Sequence, residues 1–221
     1  APHAYLMIPF IALLGLSISV IRLPMLLSGI TTLPFIYLIF KRTVDEKFGL
    51  FAMFCIAISP WHILLSRWGL ESNLLPFAFT VGYFFLLKTR DDWRWFIPAN
   101  ILFAVCLYIY GTTYAFLPIF IFFAVGILLW SGTLKIRQVI IGLLILVGLG
   151  LPIILFVLIN IFGLNSIHIG PITIPNMPTL SRFQGEGAMF QSDPLAVIYS
   201  FLLGLLNLLI FQDDHRARNI L

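Results

Sequence analysis

Apolar runs separated by short polar stretches are the dominant pattern along this chain. Eight apolar segments stand out, at about 4–20, 23–40, 48–60, 74–87, 96–112, 114–130, 138–162 and 195–211. Most approach the ~20 residues that an α-helix needs to cross a bilayer. No soluble domain, low-complexity linker or repeat of fixed period interrupts them. The pattern therefore predicts a series of membrane helices, with one long polar interval over 163–194.

Composition narrows this to a class. Of 221 residues, 61% are hydrophobic and 10% charged, and the mean hydropathy is +1.06. A soluble domain carries about a quarter charged residues and cannot expose this much apolar surface. The expected fold is all-α: a polytopic transmembrane helical bundle with a lipid bilayer as its solvent. It forms a single transmembrane domain over 1–221, part of a longer chain, with 163–194 as an extracytoplasmic loop. The basic residues form no aromatic-interleaved patch on a polar surface, which argues against a nucleic-acid partner. Cys55 and Cys106 lie far apart inside apolar runs and read as buried small hydrophobes. The opening "APHAYLMIPF" has no basic stretch of the kind that begins a signal peptide.

Charge placement orients the bundle. The loops 41–47 and 88–94, with the stretch around Lys135 and Arg137, hold eight of the 13 basic residues and all four lysines. Arg22, Arg67, Arg182, Arg216 and Arg218 fall in the opposite set, with all four histidines. Cytoplasmic loops are enriched in Lys and Arg, which places the lysine loops inside and the opposite set outside, in an integral plasma-membrane protein. Segment 4–20 then reads as an amphipathic helix in the outer interface, which leaves about seven spans plus that one helix.

Polar residues that interrupt apolar surroundings are the candidates for chemistry. Arg22 opens the second segment, with Pro24 suited to a first helical turn. A guanidinium at a helix N-terminus opposes the macrodipole, and a phosphate would satisfy both it and the free backbone N–H groups. The plain alternative is an interfacial arginine reaching lipid headgroups. The stretch "SPWHILLSRWGLESN" (59–73) places Trp61, His62, Arg67, Trp68, Glu71 and Asn73 between two apolar runs. On a helix Arg67 and Glu71 would share a face as a local ion pair, with Ser72, Asn73 and Pro76 starting the next helix. That accounts for Glu71 but not for the crowding of Trp61, His62 and Trp68, and an arginine beside aromatics at membrane depth is a site candidate. The tyrosines of "YIYGTTY" (108–114) fit an aromatic belt. Ile167, Ile169, Ile172 and Ile174 around Gly170-Pro171 predict a small hairpin or flap within the long loop. The closing stretch offers Asp213 and Asp214 as ligands for a divalent metal ion. His215, Arg216 and Arg218 beside them offer a phosphate contact.

The order of these features, through "GLSISVIRLPMLLSGI" and "SPWHILLSRWGLE" within residues 3–90, resembles the GT-C superfamily of membrane glycosyltransferases. The nearest relatives in pattern are the dolichyl-phosphate-mannose-protein mannosyltransferase-like proteins and the similar aminoarabinose lipid A transferases. "FQDDHRARN" near the end is similar to an outer segment of that family. The resemblance implies a GT-C-like bundle that moves a sugar from a polyprenyl-phosphate donor to a glycan, lipid or protein acceptor on the outer face. It implies substrate contacts from Arg22, His62, Arg67, Asp213, Asp214, His215, Arg216 and Arg218. It also implies a main catalytic Asp or Glu in an outer loop upstream of Ala1, with Glu71 a second candidate carboxylate. The rivals are a transporter or flippase and a non-catalytic membrane subunit. A transporter would place ionisable groups near mid-membrane, whereas the charges here cluster at segment ends.

Overall fold

The computed structural model describes residues 2–162, 167–169 and 172–174. The chain divides into two compact units, Ala1–Val157 and Leu158–Leu221. Eight α-helices are described: α1 Pro2–Leu14, α2 Ile18–Thr43, α3 Glu46–Ile58, α4 Pro60–Arg67, α5 Leu74–Lys88, α6 Phe96–Ile109, α7 Thr113–Trp130 and α8 Ile136–Phe162. Single 3-10 turns over Glu71–Asn73 and Trp93–Trp95 lead into α5 and α6.

Local chemistry sets most boundaries. Gly15, at φ +78°, takes the left-handed conformation that a side chain would resist, and it separates α1 from α2. Ser17 then caps α2, its Oγ accepting from the Val20 N–H at 3.3 Å. So α2 begins four residues before Arg22, and the apolar segment drawn over 4–20 is two elements. Asp45 caps α3 by accepting from Phe48 N at 2.7 Å, and Asp92 accepts from Arg94 N at 2.9 Å before α6. Gly132, at φ +69°, ends α7 in the same left-handed conformation as Gly15.

Among the described residues, three helices are long and apolar enough to cross a membrane: Ile18–Thr43, Thr113–Trp130 and Ile136–Ile159. A fourth span is available if α3 and α4, bent by 60° at Ser59-Pro60, act as one broken crossing. The expected span over 195–211 and all of the expected loop 163–194 except 167–169 and 172–174 lie outside the described residues, and the other spans expected from hydropathy are not all matched by single long helices. At 15 and 14 residues, α5 and α6 reach only about 21–23 Å at 1.5 Å per residue. Polar turns at Asn73, Thr89 and Asp92 truncate them, and α6 is wrapped by protein along Phe96, Ala99, Phe103, Cys106 and Leu107. A hydropathy profile cannot separate such an internal helix from a lipid-facing span, because both are apolar.

Two packed clusters mark the two ends of the first unit. One joins Met25 of α2 to Leu74 and Ala78 of α5 and to Cys106 and Ile109 of α6. The other runs along α6 and α7 through Phe103, Leu107, Leu117 and Ile121 and reaches Leu86, Phe96, Leu128, Leu134 and Val139 at the second end, where α5 ends, α6 begins, α7 ends and α8 begins. At that second end Arg42 pairs with Asp91, Lys41 with Glu46 at 3.2 Å, and Lys88 lies 4.0 Å over the Trp95 ring. The Arg42 guanidinium beside Asp91 holds that carboxyl below the usual range. All three lysine-bearing loops thus gather at one end of the bundle. Cys106 is buried as expected, but Cys55 is exposed on α3, because its position falls on the side of that helix away from α2.

In the second unit, Ile167–Ile169 (β1) and Ile172–Ile174 (β2) pair antiparallel, Ile167 opposite Ile174 and Ile169 opposite Ile172. This is the hairpin expected around Gly170-Pro171.

Candidate functional site

The stretch 59–73 is not a loose turn. Pro60 starts α4, where its fixed φ suits a first helical turn, and the eight residues to Arg67 lie against α2. Contact is close because Gly29 of α2 has no side chain: a Cβ there would overlap the Ser66 side chain. Ser66 Oγ donates to His62 O at 2.7 Å, and His62 Nε2 meets Gly29 O at 3.2 Å. His62, expected to touch substrate, is thus half-buried and engaged with the α2 backbone. An imidazole that donates there spends that nitrogen on the protein.

After Arg67 the backbone turns extended, at Trp68 (φ −96°, ψ 127°) and again at Leu70 (φ −93°, ψ 142°). Arg67 and Glu71 therefore belong to different elements, and the shared helical face expected from their spacing does not exist. The ion pairs among the described residues are Lys41–Glu46 and Arg42–Asp91, and neither involves Arg67 or Glu71. Nor is the expected aromatic shielding of Arg67 present. Trp61 and Trp68 are 75% and 54% exposed, and the cation–π contacts of the described residues involve only Lys41 and Lys88.

Asn73 holds this corner together. It is buried, and its Nδ2 donates to both Leu65 O and Trp68 O at 2.9 Å. Those carbonyls come at and just beyond the last turn of α4, where a helix has no intrahelical donors left to offer. Asn73 does not cap α5, the role its sequence position suggested. Its side chain reaches backwards, to carbonyls five and eight residues earlier.

The same corner meets α1 and the start of α2 at Gly69. A Cβ on Gly69 would lie 3.5 Å from Ile21 Cγ2 and 3.7 Å from His3 Cε1. Ile21 and His3 thus meet the backbone at Gly69; Arg22 is the next residue after Ile21 in sequence, and Arg67 and Glu71 lie two residues to either side of Gly69. Arg22, Arg67 and Glu71 are exposed. Arg22 lies one turn inside α2, beyond the reach of the terminal dipole and of the free N–H groups that Ser17 serves. The dipole argument for an anion beside it lapses, while its exposed, unpaired guanidinium remains.

His3 was not a candidate by sequence, although a histidine in an apolar opening stretch was a signal that could have raised it. It is 4% exposed, and its Nε2 has no hydrogen-bond partner. Burial pushes its pKa below the usual histidine range, and the Glu71 carboxylate pulls more weakly the other way.

Among the described residues no three or more His, Cys, Asp or Glu side chains are placed to hold a metal ion. Asp213, Asp214, His215, Arg216 and Arg218 lie outside the described residues. Among the described residues, Arg22, Arg67 and Glu71 take part in no ion pair.

A family profile described as dolichyl-phosphate-mannose-protein mannosyltransferase matches residues 1–160, a stretch that contains the whole of this corner. No curated protein and no solved structure matches the chain.

Proposed function

The chain belongs to the dolichyl-phosphate-mannose-protein mannosyltransferase family, and from that premise we propose that it moves a sugar from a polyprenyl-phosphate donor to an acceptor on the outer face of the plasma membrane. Membership makes it a membrane glycosyltransferase of mannosyltransferase-like type, with a lipid-linked sugar as donor. The orientation rests on the lysine loops: with that end cytoplasmic, the Gly69 crossing lies at the outer interface. A polyprenyl chain can remain in the bilayer there while its headgroup projects among polar side chains.

The observation that carries the reading is the contact of Gly69 with Ile21, which brings together the backbone segments that bear Arg22 and Arg67, both exposed and in no ion pair among the described residues. In the transfer, the acceptor oxygen bonds to the anomeric carbon as the bond from that carbon to the phosphate oxygen breaks. The electron pair leaves with the phosphate, and the acceptor hydroxyl proton passes to a base. Guanidinium groups stabilise the charge that grows on the leaving phosphate. Glu71, exposed and outside any ion pair, is the base candidate of this corner.

Donor affinity in detergent tests this. A charge-assisted contact is worth roughly 1.5–3 kcal/mol, so Arg22→Ala and Arg67→Ala should each weaken binding by about 10- to 150-fold. Arg→Lys should restore part of it, since lysine keeps the charge and loses the planar fork. Glu71→Gln should leave donor binding in place and collapse turnover if Glu71 is the base, and leave both in place if the base is elsewhere. Unchanged donor affinity in both alanine variants would overturn the phosphate site.

A further inference from the structure

The groove between α5 and α7 is lined by none of the residues of the corner just described. It encloses about 340 Å³ and is walled by an apolar stripe of α7, Phe116, Ile119, Phe120, Phe123 and Ile127, facing Leu87 of α5. From Phe116 to Leu128 that stripe runs about 18 Å along the helix at 1.5 Å per residue. One charged side chain lines it, Arg90, just past the end of α5 among the lysine-bearing loops.

Arg90 differs from the cations around it. Arg42 is paired with Asp91, Lys41 with Glu46, and Lys88 sits over Trp95. The two carboxylates that follow Arg90 in sequence are already used: Asp91 by Arg42, and Asp92 by the Arg94 N–H. Arg90 is exposed and has no carboxylate partner among the described residues. A cation at the mouth of an apolar groove, beside the membrane-length helix α7, is matched by an anion that carries its own hydrocarbon. Basic pockets between transmembrane helices recruit anionic headgroups in this way. We propose that the α5–α7 groove binds an anionic phospholipid of the surrounding membrane, an acyl chain along α7 and the headgroup phosphate on Arg90. Charge complementarity selects this occupant over a neutral lipid, for which the same groove without Arg90 would serve as well.

The test titrates the intact protein in detergent with phosphatidylglycerol or with phosphatidylcholine of identical chains, and counts retained lipids by native mass spectrometry. The wild type should retain phosphatidylglycerol about fivefold more tightly, as expected for one arginine near a headgroup. Arg90→Gln should bring the two lipids to equal retention with the melting temperature unchanged, because Arg90 is exposed and makes no ion pair. Ile119→Trp, at an exposed wall position, should reduce retention of both lipids by filling the groove. A preference that survives Arg90→Gln overturns the proposal. So does equal retention of the two lipids by the wild type. If the groove is instead a contact between two copies, a dimer that Ile119→Trp dissociates, with lipid retention unaltered, would reveal it and overturn the lipid assignment.

Discussion

Asn73 is a single polar side chain on which the shape of the candidate site depends. Two carbonyl oxygens at the end of α4 take their hydrogen bonds from its one amide nitrogen. Removing the donor leaves them unsatisfied where water is scarce, at about 1–3 kcal/mol for each buried group so exposed. Asn73→Ala should therefore lower the melting temperature in detergent. Asn73→Asp should lower it further, because a carboxylate would face the two carbonyls with no proton to offer. Equal stability of wild type and both variants would remove Asn73 from its proposed place in the corner. Sequence alone pointed at Asn73 for a different reason. Asparagine ahead of an apolar run reads as a helix cap, and only the folded chain shows the amide turned back toward Leu65 and Trp68.

Between elements, the contact of α4 with α2 is set by size rather than by charge. Gly29 lets Ser66 and His62 come against the α2 backbone, and α4 follows the line of α2 toward Ile21 from that contact. Small residues at helix crossings permit this approach in membranes, where apolar burial gives helices little reason to associate. Gly29→Ala should push α4 away and cost about 1–3 kcal/mol by overpacking. Ser66→Gly in the same chain clears the space and should recover much of the loss. The pair should thus show a coupling that independent sites do not. Thermal unfolding of the two single variants and the double variant measures it, and additive effects would mean that the crossing is not held at Gly29. The bend at Ser59-Pro60 belongs to this scale as well. The proline was visible as a helix start, but its consequence, a broken crossing of 60°, depends on where α2 allows α4 to lie.

For the molecule as a whole, the placement of charge and the packing of the core give the same division into two ends. The lysine-bearing loops meet through Arg42–Asp91 and the cluster around Phe96, Leu128 and Leu134. At Gly69 the chain brings His3 and Ile21 together, next in sequence to Arg22, and no ion pair among the described residues involves Arg22 or Arg67. Cysteines introduced at Lys47, Lys88 or Lys135, in a background lacking Cys55 and Cys106, should resist an impermeant thiol reagent in intact cells. A cysteine at Thr112, exposed between α6 and α7, should react. Labelling of the lysine loops instead would place the arginine corner in the cytoplasm and end the proposal of transfer at the outer face.

Composition and the lengths of the apolar runs determined that this chain is a helical membrane protein, because no soluble fold can expose so much hydrocarbon. The positions of Lys and Arg determined which loops share an end, because that property is carried by residue type and spacing alone. The family resemblance was legible in "GLSISVIRLPMLLSGI" and "SPWHILLSRWGLE", and the profile match covers both stretches. The tertiary structure decided what those residues touch. It moved the start of α2 ahead of Arg22, separated Arg67 from Glu71, committed His62 to Gly29, and buried His3 beneath Gly69. Each of these depends on the distance between helices, which glycines and a bent crossing set. A one-dimensional pattern records hydrophobicity and period, but not how closely two backbones can approach.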